Sequence, residues 1–434
     1  MEVYMTHIQE RIQICIAKII QNNPQVKNIF EEIYQQGGRV LLVGGAVRDC
    51  LMGCMGSDLD FEIYHLSFEE LQAILQKFGK VSFVGKSFGV LRLHGFDADW
   101  SIPRSDSYGR KPTVELNPNM SFEQAFRRRD VTVNAMGIDV YSHELIDPYN
   151  GLADLQHKIL RSPDVTFFVQ DPLRLFRVMQ LVARFEMHVD VTLSQVCRTM
   201  DITAISVERI EQEFSKLFLK SQKPSIGLKW LQGIERLSEI LPQVHIDQDL
   251  YDSLDCLAQH DNMLGEQRLI GSWAFLASRM QDIALQHIDI HLKISTEQLK
   301  LLVRWLHHYI GSHDLVHQAA TLSWYLRYVP LMVKNGRDVS YKWLAHWIAP
   351  SCSLQIISDV SICWWPEEMV EQFTGQAKLA KVLYHHEAAL LTGKDLMEHA
   401  QGKELGDLLK HAYEIQLEKS ITDKQKLLQM LKKS

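Results

Sequence analysis

Val40-Leu41-Leu42-Val43-Gly44-Gly45-Ala46-Val47-Arg48-Asp49, followed by Asp58-Leu59-Asp60-Phe61-Glu62-Ile63, decides the fold. A short aliphatic run that stops at two glycines and continues into a helix-compatible stretch predicts a strand, a tight turn and a helix. A glycine pair in that place is either a plain turn or one whose backbone N–H groups approach phosphate oxygens, with Arg48 facing the same anion. The second stretch reads as another strand. Residues i and i+2 of a strand share a face, so Asp58 and Asp60 converge. Paired carboxylates are costly without a cation between them, and hard oxygen ligands suit Mg²⁺. Two Mg²⁺ about 3.5–4 Å apart would activate an attacking hydroxyl and neutralise a leaving pyrophosphate.

Working outward, Phe61 to Tyr64, Val81 to Val84 and Val90 to Leu93 read as strands, alternating with helix-like stretches such as Phe68 to Phe78. Ile12, Cys15, Ile16, Ile19 and Ile20 fall at helical spacing ahead of Pro24, which predicts an amphipathic N-terminal helix. Mixed α/β structure is expected to about residue 150. Beyond Asp164, long Leu-rich periodic segments predict helices alone. Changes of period place boundaries near Ser162-Pro163, Ser221 to Pro224 and Glu368 to Ala377.

Composition bounds the function. The 434 residues are 46% hydrophobic, enough for several cores, and 23% charged. No apolar run approaches the roughly 20 residues that span a bilayer. Glu2 and Glu10 argue against a leader peptide, so a cytoplasmic protein is expected, without a membrane partner. A net charge of -7 means that a polyanion must meet a local basic patch. The seven cysteines lack paired spacing, and reduced thiols are expected.

Gln170-Asp171-Pro172-Leu173-Arg174-Leu175-Phe176-Arg177 carries a second chemical statement. Pro172 suits the first turn of a helix, and spacing of three keeps Asp171, Arg174 and Arg177 on one face. Cytosine and adenine both present an amino donor beside an unprotonated ring nitrogen. An acceptor at Asp171 and a donor at Arg174 therefore fit both bases and oppose uracil and guanine, at about 1–3 kcal/mol per pairing. The alternative is an intrahelical salt bridge worth about 0.3–0.5 kcal/mol.

Gly44 to Asp49 with Ser57 to Ile63 resembles the head of class II nucleotidyltransferases, the CCA-adding enzymes and bacterial poly(A) polymerases of the polymerase-beta superfamily. Arg128-Arg129-Asp130-Val131-Thr132-Val133-Asn134-Ala135 resembles that family's ribose-recognition motif, and Gln170 to Arg177 its nucleotide-reading motif, with Gln170 in place of a glutamate and Gln180 where an arginine is often found. The resemblance implies an α/β polymerase-beta-type head followed by an all-α neck, body and tail. With the boundaries above, these are head 1–161, neck 162–222, body 223–376 and tail 377–434. It implies Asp58 and Asp60 as catalytic Mg²⁺ ligands, Asp99 as a third acid, and Gly44, Gly45 and Arg48 at the triphosphate. Arg129 would pair with phosphate, Asp130 and Asn134 with ribose, and Asp171, Arg174 and Arg177 with the rest of the nucleotide.

The implied activity is template-independent addition of CMP and AMP to the 3′ end of tRNA, using CTP and ATP. Rivals are CC-only or A-only addition, poly(A) synthesis, and a noncatalytic RNA-binding protein. Val84 to Val90 resembles the CCA-adding version of its segment, whereas Ser105 to Pro112 is a poor match to the loop that helps the pocket change from C to A. Asp147 to Leu155 resembles the head–neck connector, with a glycine turn expected to act as a hinge. Ser206 to Ile210 resembles the neck motif, and Leu391 to Leu417 the tail of CCA-adding enzymes. His260-Asp261 and His313-Asp314 lack the surroundings of a phosphohydrolase metal set, and no second activity is expected.

Overall fold

The computed structural model describes residues 2–54, 56, 58–84, 89–106, 114–261, 263–280, 296–334, 341, 345, 353–385, 387–397, 400–419 and 421–431. The chain forms two compact units, Met1–Ala204 and Ile205–Ser434.

The first unit opens with the expected amphipathic helix, α1 (Glu2–Asn22), followed by α2 (Gln25–Gln35). Then come β1 (Arg39–Val43), α3 (Gly45–Leu51), β2 (Leu59–Tyr64), α4 (Phe68–Gln76), β3 (Val81–Val84), β4 (Val90–Leu93) and β5 (Ala98–Ser101). A small hairpin, β6 (Arg104–Asp106) with β7 (Val114–Leu116), precedes α5 (Phe122–Arg127), β8 (Gly137–Asp139), β9 (Leu145–Ile146) and α6 (Gly151–His157). The main sheet has the order β3-β4-β5-β2-β1-β8-β9. β2 lies inside it, antiparallel to β1 with Leu41 opposite Glu62, and parallel to β5 with Asp60 opposite Asp99.

Strand alternation divides the sheet chemically. Phe61, Ile63 and Trp100 join the large apolar cluster built with Ile12, Ile16 and Ile19 of α1, Phe30 of α2 and Leu71 of α4. Phe61 packs 5.3 Å from Phe30 and 4.7 Å from Trp100, ring to ring. The other face of β1 and β2 carries a smaller cluster of Leu41, Val43 and Tyr64 against Phe126 of α5, and it is on this side that Asp60 and Glu62 stand. Capping boxes start α4 at Ser67 with Glu70 and α5 at Ser121 with Gln124, which fixes how both helices leave the sheet.

At the glycine of the Asp147 to Leu155 connector a Cβ on Gly151 would lie 2.2 Å from the Thr132 carbonyl oxygen, so close packing there requires glycine. Asp147 accepts the N–H groups of Gly151 (2.6 Å) and Leu152 (2.9 Å) and fixes the turn further. One expectation is corrected: not all thiols are reduced. Cys256 and Cys363 are paired in a disulfide, their Cα atoms 5.7 Å apart, while Cys15, Cys50, Cys54 and Cys197 are free.

The described part of the second unit is helical. Its first helix, Val207–Lys220, begins directly after Ser206. Phe214 packs tilted against Trp273 at 5.0 Å, Phe218 meets it edge to face at 5.5 Å, and Trp273 stacks on Tyr309 at 5.4 Å, an aromatic core no local motif announces. Gly393–Leu396, Gly402–Glu418 and Lys424–Leu431 enclose a small core of Leu391, Leu396, Ala412, Ile415, Ile421 and Leu427. No described helix is long and apolar enough to cross a membrane.

Candidate active site

Gly44 follows β1 with φ +76°, a conformation glycine adopts without strain. A Cβ there would sit 3.0 Å from Arg129 Nη1 and 3.6 Å from Asp60 Oδ2, so the turn, the cation and the carboxylate meet at one point. Asp60 is the second residue of β2. Asp58 is exposed just before the strand begins, and Asp99 lies across from Asp60 on β5. Asp60 is exposed, yet the protein about it withholds part of its water, and Asp99, Asp58 and Glu62 add like charge. Together they raise its pKa against the pull of Arg129.

That crowding is what a bound cation relieves, and the donors are hard carboxylate oxygens, so the residues fit Mg²⁺. Among the described residues no three His, Cys, Asp or Glu side chains close around a point. Asp99 answers to a different partner. Its Oδ1 accepts from Arg92 Nε at 2.9 Å and pairs with Nη2 at 2.7 Å.

Behind the acids runs a buried ionic chain. Arg48 donates from Nε and Nη2 to Asp49 Oδ1 (2.8 and 2.6 Å) and from Nη1 to Asn134 Oδ1 (2.5 Å), with its guanidinium 4.3 Å from the centre of the Phe185 ring. Asn134 donates in turn to Asp130 Oδ1 at 3.1 Å, which also accepts the Val131 N–H at 2.8 Å. Arg177 Nε and Nη2 both reach Asp130 Oδ2 at 2.7 Å. Burial alone would push Asp130 toward neutrality, but Arg177, Asn134 and the Val131 N–H overcome it and hold the carboxyl below the ordinary carboxylate range. Desolvation lowers the pKa of Arg48. Arg48, Asp130 and Asn134 are each less than a tenth exposed, which makes them the frame of the site rather than its open wall.

The helix expected from Pro172 starts slightly later, as α7 (Val165–Phe168) leads through a turn into α8 (Arg174–Phe185). Asp171 lies in that turn, where Oδ1 accepts the Leu173 N–H at 3.2 Å. Arg174 donates to the carbonyls of Phe167 and Arg128, both at 2.7 Å, and so ties the start of α8 to the Arg128-Arg129-Asp130 segment. Gln170 is exposed and Gln180 buried. Gly85 to Phe88, and Ser107 to Pro112 of the poorly matching loop, lie outside the described residues.

One participant escaped sequence reasoning. Glu62 is fully buried on the face that carries Asp60 and lies 3.5 Å from Arg129 Nη2 and 3.7 Å from Arg128 Nη2. An acid two positions past Asp60 on a strand was the available signal.

Residues 40–161 match the family model described as the poly A polymerase head domain. A CCA-adding enzyme of Pseudomonas entomophila is 29% identical over 289 residues, covering 62% of this chain and 74% of that protein. A multifunctional CCA protein of Xanthomonas campestris is 30% identical over 217 residues, 48% of this chain and 51% of its own, so the match spans about half of that relative. Among solved structures, the Bacillus stearothermophilus CCA-adding enzyme in complex with CTP is similar with a TM-score of 0.67 and 19% identity, covering 96% of this chain and 98% of that one. A Thermotoga maritima CCA-adding enzyme complexed with tRNA is similar with a TM-score of 0.61 and 17% identity, covering 96% and 97%. At these identities the structural likeness is one of fold.

Proposed function

We propose that this chain, which belongs to the class II CCA-adding enzyme and poly(A) polymerase head-domain family, adds CMP and AMP to the 3′ end of tRNA from CTP and ATP with release of pyrophosphate. The observation that carries the reading is the meeting of Asp60, crowded by other acids, with Arg129 over the Gly44 turn. Acids that want a cation, beside a cation that wants a phosphate, suit transfer of a nucleotidyl group.

In this reading Asp58 and Asp60 hold Mg²⁺, which when bound neutralises charge building on the phosphates and favours attack by the terminal ribose hydroxyl. Gly44 and Gly45 let the triphosphate approach the main chain, and Arg129 pairs with it. Asp171 accepts from the amino group of cytosine or adenine and Arg174 donates to the ring nitrogen, so the protein acts as the template. Arg48, Asp130, Asn134 and Arg177 hold the RRD segment and α8 in fixed relation, so that the phosphate and base contacts keep one spacing. The helices beyond residue 222 are assigned to the tRNA.

The test supplies purified protein and Mg²⁺ with tRNA ending before, within or after CCA, offers each nucleotide singly and in pairs, and sizes the products. Completion of CCA followed by arrest is expected. Arrest at CC, a lone A added only to CC-ended tRNA, or a ladder of A would each replace this reading by the corresponding rival, and no extension at all would point to a binding protein.

A further inference from the structure

Glu62 stands in the interior of the sheet, between Leu41 of β1 and Ser101 of β5, with none of its surface exposed. Its Oε1 accepts the Tyr64 O–H at 2.7 Å, while Oε2 has no hydrogen-bond partner among the described residues and lies 3.7 Å from Arg128 Nη2 and 3.5 Å from Arg129 Nη2. A buried carboxylate is expensive, and half-satisfied networks more so, whereas an apolar residue would pack the same position at less cost. The charge of Glu62 is therefore directed at the two arginines.

Arg129 lies between two acids on one strand, Glu62 behind it and Asp60 beside it, and its Nη1 stands over the Gly44 turn. Without the rear anchor, that guanidinium is left with the charge of Asp60, which meets it over the Gly44 turn. We propose that Glu62 is a positioning residue for nucleotidyl transfer: it holds Arg129 back from Asp60, so that Arg129 faces the triphosphate and Asp60 keeps its oxygens for a cation. This rests on the reading of the site given above.

Glu62→Gln keeps the shape and removes the charge. CTP binding measured by calorimetry without Mg²⁺, where no turnover intervenes, should weaken about tenfold, the size of one charge-assisted contact. In steady state KM for CTP should rise by a similar factor while kcat changes less. Glu62→Asp should recover part of the loss. Tyr64→Phe, which strips the hydrogen bond but leaves the carboxylate, should stay within about twofold of wild type. In an Arg129→Ala background Glu62→Gln should cost nothing further. Unchanged CTP affinity in Glu62→Gln, or an equal loss with and without Arg129, overturns the positioning role while leaving the site reading intact. A wild-type protein that binds no CTP overturns the site reading itself.

Discussion

Asp60 and Asp130 are aspartates of the same head, each beside an arginine, yet the fold treats them in opposite ways. Asp130 is sealed in, and Arg177, Asn134 and the Val131 N–H satisfy its oxygens, so its pKa is lowered. Asp60 has Asp99, Asp58 and Glu62 near it, and its pKa is raised. One carboxylate has its cation built into the chain. The other has like charges about it, and in the proposed function a cation balances them. The structural acid and the proposed catalytic one thus differ in whether their charge is balanced from within.

The largest expected effect falls on the sealed side. Arg177→Ala leaves Asp130 buried without its ion partner. Breaking a fully buried pair costs about 3–5 kcal/mol, and with 40% of the Arg177 side chain exposed the loss should be nearer 2–3 kcal/mol. Urea denaturation measures it. A loss below about 0.5 kcal/mol would mean that the pair behaves as a surface salt bridge.

Arg174→Ala bears on the open side. If Arg174 reads the base edge, incorporation of C and A should fall together. Discrimination against UTP and GTP should shrink by about 1–3 kcal/mol, tenfold to more than a hundredfold in kcat/KM ratios on tRNA lacking its 3′ end. Its bonds to the Phe167 and Arg128 carbonyls predict a loss of stability as well. If stability falls but the CTP-to-UTP ratio holds, Arg174 is only a strut and the protein is not the template.

The smallest effect is a difference of sign with pH. Asp130, with its lowered folded pKa, stabilises the protein above the unfolded value of about 3.9, and that stability is lost as pH falls through the folded value. Asp60, with its raised folded pKa, does the reverse: its charged form burdens the fold at neutral pH, and the burden lifts as pH falls through its folded value. Asp130→Asn should therefore lower Tm at pH 7 and do so less near pH 3. Asp60→Asn should raise Tm at pH 7 by up to about 2 °C, with the gain fading toward pH 4. Shifts of the same sign at pH 7 would break the contrast.

How much of this was readable in the sequence follows from chain distance. The Gly44 turn, the β2 acids and the N-terminal helix are local patterns of period and turn chemistry, and they stand where the sequence places them. The pairing of Arg48 with Asn134, 86 residues away, and of Cys256 with Cys363, 107 residues away, depends on packing that no spacing announces. Asp99 shows both sides. Its alignment with Asp60 follows from a parallel register, but its capture by Arg92 depends on β4 pairing with β5. Glu62 was missed because an acid among strand apolars reads as part of an exposed face, and the Arg128-Arg129 segment that faces it comes from more than sixty residues further along the chain.

The most direct test is the rate of single CMP addition to tRNA lacking its 3′ end by Asp60→Asn, with melting followed on the same sample. A drop of about a hundredfold or more, the scale of removing one electrostatic contributor to a transition state, should accompany a Tm at or above that of the wild type. Addition at more than a few per cent of the wild-type rate by a well-folded Asp60→Asn protein would contradict the assignment of Asp60 to the metal.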